Sequence, residues 1–178
     1  ESNRIQVLVN DLLELSKIER HGFTLDVTPT KLQDILVRVV DLTSSQLESK
    51  NMQFDVKIEQ DAVILGDVNR LMQIFTNLIN NAIAYSKEET TVTLCISANE
   101  QYGIFEVKDE GIGIEKAEIS RIFERFYRVD RARSRNSGGT GLGLSIVKHL
   151  IEAHQGKIQV ASEIGKGTSI KVFLPLNR

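Results

Sequence analysis

Two glycine clusters bracket one stretch of this chain and restrict its fold more than any other feature. DEGIGI (Asp109 to Ile114) opens the stretch, RIFERFYRVDRARSRNS runs through it, and GGTGLGLS (Gly138 to Ser145) closes it. Six of the 12 glycines fall in these two ends, too clustered for scattered turns. The first cluster follows an alternating run, with Ile104, Glu106 and Lys108 set against Phe105 and Val107, so it sits where a strand stops. The second leads into Leu142, Leu144, Ile146, Val147 and Leu150, spaced as an amphipathic helix. Glycine ahead of a helix lets backbone approach a ligand, and the free amides of a first helical turn attract phosphate oxygens. One loop carrying an acid and another opening a helix together point to a nucleotide site.

Composition narrows the class. A chain of 178 residues with 41% hydrophobic residues and a net charge of -2 is long enough for one core and reads as globular. Its basic residues are balanced by acids, which disfavours a nucleic-acid partner; only Arg125 to Arg135 is locally basic. The lone Cys95 excludes an internal disulfide and reads as packing within VTLCIS. No apolar run approaches a membrane span and no signal-peptide pattern opens the chain, so no direct membrane contact is expected.

Along the chain, Ile5, Leu8, Leu12 and Leu15 recur at spacings of three and four, a coiled-coil seam widened by Val9, Leu13 and Ile18. Such a helix needs a partner to cover it. His21 and Gly22 punctuate it. Phe23 to Thr28 then alternates as a short strand that Pro29 ends. A helix is expected from Lys31 to about Lys50, strands at Met52 to Ile58 and Val63 to Leu65, and a helix from an Asp67 N-cap to about Ser86. Strands at Thr91 to Ser97 and Gly103 to Lys108 precede the glycine stretch. After it come a helix to about His154 and strands at Lys157 to Ser162 and Thr168 to Leu174. Strands and helices mix without regular alternation, which predicts one sheet with helices on a single face.

Four groups carry the chemistry. An ionised Asp109 only accepts hydrogen bonds, so a fixed carboxylate there selects the amine of adenine over the carbonyl of guanine. Gly111 and Gly113 would let the backbone pass close to the flat ring; an Asp-capped turn is the plainer explanation. Gly139, Gly141 and Gly143 lie before and within a helical first turn, where amides and helix dipole meet a triphosphate, or where an ordinary loop precedes a helix. Asn77 and Asn81, four apart on one helix face, offer amide oxygens to Mg2+, although such a pair is more often a solvated polar edge. Arg125, Arg128, Arg131, Arg133 and Arg135 follow Phe123, Phe126 and Tyr127 in a loop able to close over phosphates, or simply solvated. His21, His149 and His154 have no metal-ligand spacing and read as structural.

The order of these motifs resembles one family. NLINNAIAYS (Asn77 to Ser86) is similar to the N box of sensor histidine kinases, DEGIGI to their first glycine box, RIFERFYRVD (Arg121 to Asp130) to their F box and GGTGLGLS to their second glycine box. GKGTSIKVFLP (Gly165 to Pro175) is similar to their closing hairpin, and residues 1–22 resemble the end of a second dimerisation helix with its linker. The run from Arg121 to His154 most resembles phosphate-regulon sensor kinases of Gram-positive bacteria.

The resemblance implies an α+β fold of the Bergerat ATP-binding type, a two-layer α/β sandwich with a mixed sheet and helices on one face. Residues 23–178 would be the catalytic domain, preceded by the remnant of the dimerisation helix. It implies ATP contacts from Asn77, Asn81, Tyr85, Asp109, Gly111, Gly113, Ile114, Tyr127, Arg128, Gly139, Thr140, Gly141, Leu142, Gly143 and Leu144. Mg2+ would sit at Asn77 and Asn81, with Arg128 and Arg131 as lid groups.

Gyrase, Hsp90 and MutL, which share the fold, carry a water-activating Glu where this chain has Asn77. An amide is no general base, so the sequence argues for transfer to a separate acceptor. That acceptor would be a His on a dimerisation domain of the same chain or a homodimer mate, with a response-regulator receiver domain next in the relay. Two departures stand out: Ala84 replaces a Lys usual before the N-box Tyr, and no histidine here lies in an acceptor motif. The rivals are a conformational ATPase of the gyrase or Hsp90 type and a nucleotide-binding regulatory module without chemistry. The setting implied is the cytoplasmic part of a membrane-anchored bacterial sensor.

Overall fold

The computed structural model describes residues 2–128 and 141–177. The chain runs α1 (Ser2–Glu19), β1 (Thr28–Lys31), α2 (Leu32–Glu48), β2 (Gln53–Ile58), β3 (Val63–Gly66), α3 (Val68–Tyr85), β4 (Thr91–Ala98), β5 (Tyr102–Lys108), the short α4 (Lys116–Ile119), α5 (Gly143–Ala153), β6 (Lys157–Glu163) and β7 (Gly167–Pro175). Five strands form a mixed sheet in the order β2-β4-β5-β7-β6; β2 lies parallel to β4 and the other pairs are antiparallel.

Period-2 alternation sets which face of this sheet is buried. Val92, Leu94 and Ile96 of β4, Phe105 and Val107 of β5, and Ile170, Val172 and Leu174 of β7 enter one core with residues of α2, α3 and α5. Phe75 of α3 stacks on Phe105 with centroids 3.8 Å apart and ring planes 11° from parallel, a contact worth about 0.5–1.5 kcal/mol beyond burial. The α3 stripe expected from Leu71, Ile74, Phe75, Leu78 and Ala82 is buried, and Ile79 and Ile83 join it.

Two expectations need correction. Phe23 to Val27 form no strand; β1 instead starts at Thr28 and contains Pro29, paired opposite Leu65. A proline is tolerated there because β1 pairs on one side only, in a separate two-stranded sheet with β3. The architecture therefore has two sheets where one was expected.

Asp67 caps α3 as expected, accepting from the Arg70 amide at 3.2 Å. His154, at the end of α5, accepts from the Asp67 amide through Nε2 at 3.1 Å and bonds the Leu150 carbonyl through Nδ1 at 2.8 Å. That arrangement requires a neutral ring with its proton on Nδ1. Burial pushes its pKa down, against the Leu150 carbonyl and Asp67, which pull it up.

Helix α1 divides along its length. Leu15 and Ile18 are buried in the common core, whereas Ile5 is 64% and Leu13 66% exposed. Glu14 bonds Arg70 at 2.5 Å and Glu19 pairs with Arg125, so the C-terminal half of α1 is tied to α3 and to the segment after α4. Among the described residues no helix is long and apolar enough to cross a membrane.

Candidate nucleotide-binding site

A cavity of about 890 Å3, within the size range of ligand sites, lies between α3, the loop after β5 and the start of α5. Asp109 is its most constrained group. It follows β5 and continues the β5–β7 register, donating its amide to the Thr168 carbonyl at 2.9 Å. Its carboxylate, only 7% exposed, accepts through Oδ1 from the Gly111 amide at 2.9 Å and the Thr168 amide at 3.1 Å. Burial pushes its pKa above the ordinary carboxylate value, while the two amides pull it back. With Oδ1 committed to two backbone donors, Oδ2 is the oxygen that can serve a ligand.

The glycines around Asp109 stand in close contact with other backbone. A Cβ on Gly113, at φ +76°, would fall 2.2 Å from the Glu163 carbonyl, and one on Gly111 would fall 2.4 Å from the Tyr85 carbonyl. Both glycines are required by protein backbone packed against them. Gly167 closes the same cradle from β7: at φ +126°, its Cβ would stand 2.1 Å from the Asp109 carbonyl. Ile114 is held by its amide, which donates to Ser162 Oγ at 2.7 Å.

At the other end, Asn77 Nδ2 donates to the Gly143 carbonyl at 3.3 Å, joining α3 to the first residue of α5. The amide is thereby oriented, and Oδ1 is the atom that can meet a cation. Asn81, one turn on, lines the same cavity, as does Tyr85 at the end of the helix. Gly113, Ile114, Tyr127, Arg128, Gly141, Gly143 and Leu144 also line it. Tyr127 donates its hydroxyl to Glu118 at 2.6 Å, a bond that raises its pKa, and Arg121 lies 4.5 Å over its ring.

Leu142, Gly111 and Arg125 stand off the cavity wall. Leu142 is fully buried in the core, because the residue capping α5 turns its side chain inward. Gly111 is not on the cavity wall; its amide is spent on Asp109. Arg125 pairs with Glu19 rather than facing the cavity. Arg131, Arg133, Arg135, Gly139 and Thr140 lie outside the described residues. Among the described residues, no cluster of three His, Cys, Asp or Glu could hold a metal.

Among the lining residues missed by sequence reasoning are Lys50, Asn80, Thr168 and, from α1, Asp11. Asn80 sits within the same asparagine-rich run as Asn77 and Asn81, and that was its only signal. Thr168 acts through its backbone amide, for which a side-chain pattern gives none.

Residues 66–178 match the family described as histidine kinase-, DNA gyrase B-, and HSP90-like ATPase. The chain belongs to that family, as a catalytic domain of the sensor histidine kinase kind. It is 38% identical to the sensor histidine kinase WalK of Bacillus subtilis (strain 168) over 181 residues, covering 98% of this chain and 29% of that protein. It is 35% identical to the sensor protein SrrB of Staphylococcus aureus (strain MRSA252), covering 98% of this chain and 30% of that one. The chain thus spans less than a third of these relatives. Among solved structures, full-length ShkA in complex with AMPPNP superposes with a TM-score of 0.84 at 30% identity, over 98% of this chain and 37% of that one. The Acinetobacter baumannii histidine kinase AdeS shares the fold, with a TM-score of 0.78 at 24% identity, over 97% and 79% of the two chains.

Proposed function

We propose that this domain binds Mg-ATP and that the γ-phosphoryl group passes to a histidine of a dimerisation helix outside residues 1–178, for relay to a response-regulator aspartate. The observation that carries the reading is the buried Asp109 carboxylate, with Oδ1 held by two backbone amides and Oδ2 left for the amine of adenine. The AMPPNP in the ShkA structure supports a nucleotide ligand for this cavity. The triphosphate would run toward the opening of α5, with Asn81 and Arg128 on the cavity wall.

Asn77 and Asn81 fit a hard cation, since each offers an amide oxygen and Mg2+ keeps several waters beside its protein ligands. Bound there, Mg2+ would neutralise phosphate charge. In the transfer, an imidazole nitrogen of the acceptor attacks the γ-phosphorus; an N–P bond forms as the P–O bond to ADP breaks. This chain contributes position and charge stabilisation, from the helix opening at Gly143 and the guanidinium of Arg128, with Arg131 as a second lid group. Residues 1–22 act as the end of the dimerisation helix and 23–178 as the catalytic unit, within a membrane-anchored bacterial sensor whose catalytic part is cytoplasmic. Kinship with phosphate-regulon sensors rests on the resemblance of residues 121–154 alone.

Asn77 weighs against a gyrase-like ATPase, because its carboxamide cannot accept a proton from water and its Nδ2 is engaged by Gly143. With radiolabelled ATP and Mg2+, the chain alone should acquire no acid-labile label, yet it should label acceptor helices supplied as a separate polypeptide. Asn77→Ala should leave the fold intact and make ATP affinity respond less to Mg2+. Label on the isolated chain that disappears on His21→Gln would overturn the missing-acceptor reading, and steady ADP release without acceptor would favour the ATPase.

A further inference from the structure

Lys50 belongs to none of the motifs read from the sequence. It lies two residues beyond α2, and its ammonium reaches the last turn of α3. Nζ donates to the Ile83 carbonyl and to the Ser86 carbonyl, both at 2.7 Å. These are charge-assisted bonds, and the ammonium faces the negative end of the helix dipole. No basic residue of α3 itself occupies its last turn, so the cation comes from another element. Backbone bonds hold Lys50 in place: the Glu89 amide donates to its carbonyl at 3.1 Å, and Asn51 beside it takes φ +54°. Burial lowers the pKa of its ammonium, with Glu88 opposing that shift.

A short relay leads from this clamp to the base end of the cavity. Ser86 forms an antiparallel bridge with Gly111. Gly111 sits so close to the Tyr85 carbonyl that a Cβ would approach within 2.4 Å, and its amide donates to Asp109 Oδ1 at 2.9 Å. Displacing the last turn of α3 would therefore move one of the two amides that aim the carboxylate. Lys50 itself lines the same cavity as Asp109.

We propose that Lys50 is a positioning residue for base recognition, clamping the C-terminal turn of α3 onto the DEGIGI loop so that Asp109 presents Oδ2 at one fixed place. The inference rests on the reading of Asp109 as the group that selects adenine. It adds a specificity determinant outside the motifs proposed for phosphate and metal.

The test compares ATP with GTP, which carries a carbonyl where adenine has its amine. Both are titrated by competition against a fluorescent adenine nucleotide on the 178-residue chain and on Lys50→Met, Lys50→Gln and Lys50→Arg, with thermal unfolding followed in parallel. Lys50→Met should weaken ATP about tenfold, the effect of one lost or misaligned polar contact, while GTP changes little. The ATP/GTP ratio should then fall, and Lys50→Arg should restore most of it. A Lys50→Met chain that melts earlier but keeps the wild-type ratio has lost only structure, and that result overturns the inference. Should Lys50→Met fail to fold, equal ratios in wild type, Lys50→Gln and Lys50→Arg overturn it just as well. A wild type without ATP preference overturns the base-site reading and this inference together.

Discussion

The two ends of the cavity are built from different materials. Around Asp109 the work is done by backbone: amides of Gly111 and Thr168 hold the carboxylate, and carbonyls of Tyr85, Glu163 and Asp109 itself crowd positions where only glycine fits. Around Asn77 it is done by side chains on helix faces, with the nearest atom to a Cβ on Gly143 being the Asn77 amide at 4.0 Å. A backbone cradle has no slack, because a displaced carbonyl takes its strand with it. A side-chain wall can adjust by a rotamer. The cradle around Asp109 is therefore a more rigid template than the wall that Asn77 and Gly143 form.

The strongest way to break this contrast is to add the same methyl group at each end. Gly167→Ala puts a Cβ 2.1 Å from the Asp109 carbonyl at φ +126°. Strain and overpacking together should cost about 2–5 kcal/mol in urea unfolding. Gly143→Ala, with open space and a helical position, should shift stability by no more than about 1 kcal/mol. Equal effects would show that the two ends do not differ in rigidity.

Asp109→Asn gives the next largest effect and sharpens the comparison. Oδ1 of the new amide can still accept from Gly111 and Thr168, so the fold holds the NH2 group on the ligand side, donor facing the amine of adenine. ATP affinity should drop about tenfold to a hundredfold, read by calorimetry. Stability should move the other way. A folded-state pKa raised by burial means the native state binds the proton more tightly than the unfolded chain, so this carboxylate's contribution is present at low pH and lost as pH rises through the folded value. The neutral amide removes that loss, and the variant should unfold no earlier than wild type near pH 7. A mutant that binds normally would take Asp109 out of the base site.

The smallest effect concerns the start of α3, off the cavity wall. His154 is held neutral, with a pKa lowered by burial. Between that folded value and the ordinary value near 6.5 the unfolded chain binds more protons. Stability should thus be full above about pH 6.5 and decline as pH falls below it, levelling off at the folded pKa. A charged ring would present an N–H to the Asp67 amide, donor against donor. Unfolding of His154→Gln measured from pH 7.5 to 5 should show a flatter profile; an unchanged slope would assign the pH dependence to other groups.

Periodicity and punctuation carried much of the fold. The alternation through Phe105 and Val107, the stripe of α3 and the Asp67 cap are local properties, since strand and helix periods and N-cap chemistry depend on residues within a few positions. The same is true of the acid at a strand end and the glycines at a helix start, on which the proposed nucleotide site was read from the sequence. What the sequence alone misjudged was long-range. Pro29 entered a strand because β3, 36 residues away at Thr30's bond to Gly66, offered a one-sided partner. Leu142 turned into the core although it stood inside a glycine motif, and Arg125 found Glu19 at the far end of the chain.

Sequence by itself marked the residues proposed to carry the chemistry: a carboxylate, two asparagines and two glycine loops, because the chemistry of a side chain is fixed by its type. Only the tertiary structure decided how those groups are aimed. The Thr168 amide that fixes Asp109 comes from β7, and the ammonium that caps α3 comes from Lys50 beyond α2. Hydrogen bonds between distant backbone groups leave no pattern in the order of residues, and it is these bonds that aim the carboxylate proposed to read the base.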